Sequence, residues 1–119
     1  MEDFTSLSGF VEPDMTYLDE ISSGDTEFAV QIISIFIEEY PAIIDALRSG
    51  AIEGDFDQVK FYSHKLVSQL PIIGIVTAVE NVKLINKDCA ILTDLKERID
   101  SLEKTIEQNI LFLKKKYNF

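Results

Sequence analysis

The chain has 119 residues, of which 46% are hydrophobic and 27% charged, values typical of one globular domain with its own core. Its 21 acidic and 11 basic residues give a net charge of −10, which argues against nucleic acid as a partner because binding it requires cations that neutralise phosphates. No apolar stretch reaches the roughly 20 residues that a membrane-spanning helix needs. The acidic N-terminus is unlike a secretory signal, and the single cysteine allows no internal disulfide. These features predict a cytoplasmic protein.

Apolar residues recur at helical spacing along the chain, and no segment alternates between apolar and polar residues as a half-buried strand would. We expect residues 1–12 to form a flexible acidic arm and residues 13–119 to form one helical domain. A short first helix should begin after Pro13 and end before Gly24, because both residue types interrupt regular structure.

Asp25 is expected to cap a second helix that ends near Gly50 and is kinked by Pro41. Its predicted apolar face comprises Phe28, Ile32, Ile35, Phe36, Ile43 and Leu47. Three further isoleucines widen this face: Ile33, Ile37 and Ile44. We expect them to pack against the first helix, and the alternative is that they form part of a partner-binding surface.

A third helix should begin after Asp55, since Asp55 and Gln58 have the spacing of a capping box. Pro71 and Gly74 predict a break or sharp kink at its end. A fourth helix is expected over residues 75–86.

The last helix has the clearest pattern, with apolar residues spaced by three and four and one interruption at Asn109. Its stripe comprises Leu92, Leu95, Ile99, Leu102, Ile106 and Leu113. Lysines at positions 114–116 suit the negative end of a helix dipole. Together the segments predict an all-α fold, an antiparallel four-helix bundle with a short additional N-terminal helix.

Most chemical sites are excluded by the residues present. One histidine and one cysteine make no zinc site, the acids lack the order of a calcium loop, and the glycines are too scattered for a phosphate loop. Asp57 and His64 lie two helical turns apart, too far for a catalytic pair. His64 itself points roughly 120° from the centre of the third helix's apolar face, at 100° per residue, and should therefore lie at the solvent edge. A surface histidine without a role is the alternative.

The residues around His64 are similar to those of the histidine-containing phosphotransfer (HPt) domain family. In that family a Gly-Asp pair opens a helix, the phosphorylated His follows about nine residues later with Leu two places beyond, and Gly stands ten places after the His. The matching residues here are Gly54, Asp55, His64, Leu66 and Gly74, with Phe36 at a position that is commonly aromatic. The resemblance covers about residues 14–85.

Two positions depart from that pattern. The family usually has Lys three places after the His and Gly at the fourth place, where this chain has Val67 and Ser68. The resemblance implies that the Lys holds the phosphoryl group and that the Gly leaves room for a partner. Lys60, one turn before His64, is expected to supply a charge instead, whereas Lys65 should point about 100° away.

The resemblance implies a phosphorelay intermediate of two-component signalling. His64 would accept a phosphoryl group from the aspartyl phosphate of a receiver domain and pass it to another receiver, and receivers or a hybrid sensor kinase would be its partners. The chain would be a monomeric carrier with no cofactor or metal of its own, and Phe61 would contribute to docking. A module that binds receivers or kinases without transfer, and a helical adaptor or dimerisation protein, are the alternatives. Cys89 is expected to be inert.

Overall fold

The computed structural model describes residues 10–119, so most of the arm predicted for residues 1–12 lies outside the described residues. The described chain contains no strand and forms five α-helices, which confirms the all-α prediction. They are α1 (Thr16–Ser22), α2 (Thr26–Glu53), α3 (Phe56–Ile73), α4 (Val79–Asp88) and α5 (Leu95–Lys116), with a 3₁₀ turn (Val76–Ala78) before α4. Over residues 10–119, no helix combines the length and the apolar character needed to cross a membrane.

Asp25 caps α2 as predicted. Its Oδ1 accepts hydrogen bonds from the backbone N–H groups of Glu27 (3.0 Å) and Phe28 (3.3 Å), which satisfies two of the donors left free at a helix start. The helix continues through Pro41 and ends one turn later than expected, at Gly54, whose φ of 71° is left-handed. The predicted end near Gly50 was therefore wrong.

The buried face of α2 is rotated from the predicted one. Phe28 and Ile35 were expected in the core but are 43% and 55% exposed. α2 packs against α1, α3 and α5, and a neighbouring stripe of α2 is the one removed from water. Its buried members are Ala29, Ile33, Phe36, Tyr40, Ile43, Ile44 and Leu47. Ile33 and Ile44 belong to the core, which excludes them from a partner-binding surface, and Ile37 is half-buried.

α3 begins as predicted and ends later. Asp55 Oδ1 accepts from the Gln58 N–H (3.1 Å), but the Gln58 side chain donates instead to the carbonyl of Ala46 in α2 (2.8 Å), so only half of the capping box forms. The predicted break at Pro71 was wrong, because the helix passes through this exposed proline and ends only at Gly74, with a φ of 85°.

α3 lies at the centre of the packing, in contact with α1, α2 and α4, while α5 contacts α2 and α4. The stripe predicted on α5 is confirmed from Leu95 to Leu113, although Leu92 precedes the helix and is only half-buried. Asn109 is 2% exposed within this stripe and its Nδ2 donates to the Thr105 carbonyl (2.8 Å). The core-lining residues of α3 are Val59, Ser63, Leu66, Leu70 and Ile73.

Arg48 connects α2 with α5. Its guanidinium donates to Asp100 Oδ1 (2.5 Å) and to the carboxylate of Glu103, and nearby the Tyr40 hydroxyl donates to the Glu103 carbonyl (3.4 Å). Burial and the negative charge of Glu107 raise the pKa of Tyr40 well above its ordinary value, so the hydroxyl stays a donor. Because these ion pairs are partly exposed, their contribution to the stability of the fold is small.

Gly74 allows the N-terminal segment to approach α3. The Asp14 N–H donates to the Gly74 carbonyl (2.8 Å), and a Cβ on Gly74 would lie 2.0 Å from the Asp14 carbonyl oxygen. Gly54 has a similar left-handed φ, but none of residues 10–119 outside its own turn places an atom within 4 Å of such a Cβ. Comparing substitutions at the two glycines therefore distinguishes the effect of backbone conformation, which they share, from that of steric contact, which only Gly74 has.

We predict that Gly74→Ala lowers the free energy of unfolding by at least about 3 kcal/mol, since a contact that displaces backbone adds to the conformational cost. Gly54→Ala is the control and should lower the free energy of unfolding by only about 1–2 kcal/mol, because a residue with a Cβ is strained in the left-handed conformation. Urea unfolding followed by circular dichroism measures both values. Equal losses in the two variants would contradict the close approach of Asp14.

Candidate functional site

His64 lies in the middle of α3 and is exposed. The side chains that point into the core, among them Ser63 and Leu66, are fully buried on the other side of the helix. Phe61 and Ser68, one turn before and after His64, are exposed as well. The predicted position of His64 at the solvent side of the third helix is thus confirmed.

The His64 imidazole has no hydrogen-bond or ion-pair partner among residues 10–119. The one side-chain hydrogen bond to this residue is to its backbone carbonyl, which accepts from Ser68 Oγ (3.4 Å). Ser68 therefore does not contact the ring as an orienting group. An exposed imidazole with free ring nitrogens can act as a nucleophile toward a partner that approaches from solvent.

Metal binding is not supported by the surroundings of this histidine. Within residues 10–119, no group of three or more His, Cys, Asp or Glu side chains is arranged to hold a metal ion.

Lys65 is turned toward aromatic rings. Its Nζ lies 5.3 Å from the ring centroid of Phe61 and 5.6 Å from that of Tyr62, within the range of cation–π attraction. The two rings contact each other edge to face, with centroids 5.0 Å apart. Phe61 is nevertheless 59% exposed, so it keeps an apolar surface beside His64.

The remaining predicted site residues lie around the same turns of α3. Lys60 is exposed one turn before His64, and Val67 is half-buried one turn after it. The structure thus brings His64, Lys60, Phe61 and Ser68 onto the exposed part of α3, while Val67 is partly withdrawn toward the core.

The sequence analysis missed Asn86, a polar residue of α4 that contacts α3 beside this site. Its Nδ2 donates to the Lys60 carbonyl (2.9 Å) and to Ser63 Oγ (3.0 Å). Nothing in the local sequence distinguishes Asn86 from the neighbouring polar residues of α4, because its role arises from the packing of two helices.

Cys89 is buried where the end of α4 meets the start of α3, close enough for the charge of Lys60 to act on its thiol. It is 1% exposed, and its Sγ lies 3.8 Å from the Phe56 carbonyl oxygen. Burial raises the pKa of the thiol above its ordinary value. The same residue lines a cavity of about 280 Å³ between the end of α2 and the start of α5, which His64 does not line.

We predict that Cys89 in the native protein reacts with iodoacetamide far more slowly at pH 8 than the same thiol in urea-unfolded chain, because both burial and a raised pKa suppress the thiolate. Mass spectrometry over time gives the two rates. Equal rates would show that Cys89 is accessible and contradict its inert character.

Comparisons with known proteins provide no relative: no protein-family model, no curated protein and no solved structure matches the chain.

Proposed function

We propose that the protein is a phosphorelay carrier that accepts a phosphoryl group on His64 and passes it on. The observation that carries this proposal is an exposed imidazole in the middle of α3 that has no hydrogen-bond or ion-pair partner among residues 10–119, between helix ends at Gly54 and Gly74 that match the HPt pattern. We further propose that α2–α5 form an antiparallel four-helix bundle, with α1 as the additional helix, and that the carrier acts in the cytoplasm.

The chemistry requires little from the chain itself. A ring nitrogen of neutral His64 attacks the phosphorus of an aspartyl phosphate on a receiver domain, so a P–N bond forms while the P–O bond breaks and its electrons return to the aspartate carboxylate. The acidic pocket and the Mg²⁺ that assist this transfer belong to the receiver. Attack by a second receiver's aspartate reverses the step. The protein is then a co-substrate and not an enzyme.

Three side chains would assist the encounter. Lys60 is exposed one turn from His64, so its ammonium can attract the phosphoryl dianion. Phe61 offers an exposed apolar ring for docking, and Lys65 covers part of that ring. A receiver or a hybrid sensor kinase carrying one is the partner that this chemistry requires.

A module that binds receivers without accepting phosphate is the second candidate. It is favoured by Val67 and Ser68, which place no cation in the turn after His64, and by Lys65, which is held over aromatic rings. The two candidates share a docking surface and differ only in whether a P–N bond forms.

We predict that phosphorylated receivers transfer an acid-labile label to the wild type and none to His64→Gln. Radiolabelled receivers from the source organism provide the donors, and electrophoresis at neutral pH detects the product. Ser68→Ala is the control, because it keeps His64 and removes only a hydroxyl that bonds to backbone. Label on His64→Gln, or binding without any label on the wild type, would contradict the carrier.

We predict that Val67→Lys raises the transfer rate about two- to fivefold, since a partly exposed opposite charge is worth roughly 0.3–1 kcal/mol. The matched control is Val76→Lys, which makes the same change at an exposed valine outside α3. Single-turnover assays at low and high salt measure the effect. An equal increase in both variants would show that net charge, and not a cation beside His64, controls the rate.

A further inference from the structure

A polar junction joins α4 to α3 at the turn that carries His64. Asn86 Nδ2 donates to the Lys60 carbonyl (2.9 Å) and to Ser63 Oγ (3.0 Å), and Ser63 Oγ also lies within hydrogen-bond distance of the Lys60 carbonyl (3.3 Å). Ser63 is fully buried. We call these three residues the Asn86 junction.

The junction acts on the backbone of the His64 turn. In an α-helix, the N–H of each residue donates to the carbonyl four positions earlier, so the Lys60 carbonyl is the acceptor of the His64 N–H within α3. The same oxygen therefore closes the helical turn that ends at His64 and receives the amide of Asn86. Because a carbonyl only accepts, this contact also fixes which end of the Asn86 amide faces α3.

His64 depends on this backbone for its position. Its imidazole has no hydrogen-bond or ion-pair partner among residues 10–119, so no polar contact within that part of the chain orients the ring. In-line transfer needs the reacting atoms to lie within about 0.5 Å of the productive geometry. This requirement favours groups that are held by rigid elements and supporting hydrogen bonds.

We propose that Asn86 is a positioning residue for phosphoryl transfer: through the Lys60 carbonyl and Ser63, it fixes the turn of α3 that presents His64. This inference rests on the proposed function for its effect on transfer. The anchoring of the turn itself can be measured without any receiver.

Asn81 provides a matched control on the same helix. Its Nδ2 donates to the carbonyl of Arg98 in α5, at 2.9 Å, the distance found between Asn86 and Lys60. Replacing either residue by Asp removes an amide donor, adds the same charge to α4 and breaks a contact to another helix. Only Asn86→Asp breaks a contact to the helix of His64.

The experiment compares three quantities in wild type, Asn86→Asp and Asn81→Asp: the maximal transfer rate from a saturating phosphorylated receiver, the receiver Kd and the hydrogen exchange of the His64 amide. Asn86→Asp should reduce the transfer rate about tenfold and accelerate the exchange of the His64 amide by a similar factor. Losing these hydrogen bonds should change the equilibrium that holds the turn in place by about tenfold. Its receiver Kd should stay unchanged, because the exposed face of α3 is intact. Asn81→Asp should leave all three values within about twofold of wild type.

Several outcomes would overturn the inference. They are an unchanged transfer rate in Asn86→Asp, an equal reduction of the transfer rate in both variants, or a weaker receiver Kd with no change in the maximal transfer rate. If no receiver phosphorylates the wild type, the proposed function is wrong, but amide exchange still tests whether Asn86 fixes the His64 turn. Faster exchange of the His64 amide in Asn86→Asp alone supports that role, and unchanged exchange overturns it. If Asn86→Asp does not fold, Ser63→Ala replaces it and should give the same pattern with a smaller effect.

Discussion

Burial of one stripe of α3 is the constraint on which the rest of the structure depends. α1, α2 and α4 all contact this helix, and between them they remove residues such as Val59, Leu66 and Leu70 completely from water. At 100° per residue, covering that stripe fixes which side chains remain outside. His64 and Phe61 are exposed for this reason, and not because of any local feature of their own. The candidate site is therefore a consequence of how the core packs, and a change that rotates α3 would remove it.

The helices differ in how much of their burial could be predicted. The α5 stripe from Leu95 to Leu113 has polar residues on its other faces, so only one orientation buries its apolar side chains. α2 carries apolar residues nearly all round its first half, and periodicity cannot choose among several stripes. The buried stripe depends on the packing of α2 against α1, α3 and α5, which buries Ile33 and leaves Ile35 55% exposed.

Among the helix ends and the site residues, the features that depend on local sequence were predictable and those that depend on packing were not. Asp25 and Gly74 act locally, through a side-chain cap and a left-handed backbone, and were predictable. Pro71 did not end α3, because its ring projects from the exposed face and the helix on either side is held by buried neighbours. The exposure of His64 was likewise predictable from periodicity. Asn86 was not, since its contact joins residues 26 positions apart and depends on the register of α4 against α3.

The phosphoryl group proposed for His64 would lie on a helix that carries more bases than acids. α2 carries five acids, and its single base is already paired with α5, whereas α3 and α4 each carry two lysines against one and two acids. His64 follows Lys60 by one turn on the side of α3 that Asn86 joins to α4. Charges beyond about 8–10 Å are screened at physiological salt, so Lys60, one turn from His64, would act on the ring more strongly than the net charge of −10 does. With no lysine at position 67, a phosphoryl group on His64 would have Lys60 as the cation one turn away, and one lysine holds such a group less firmly than two would.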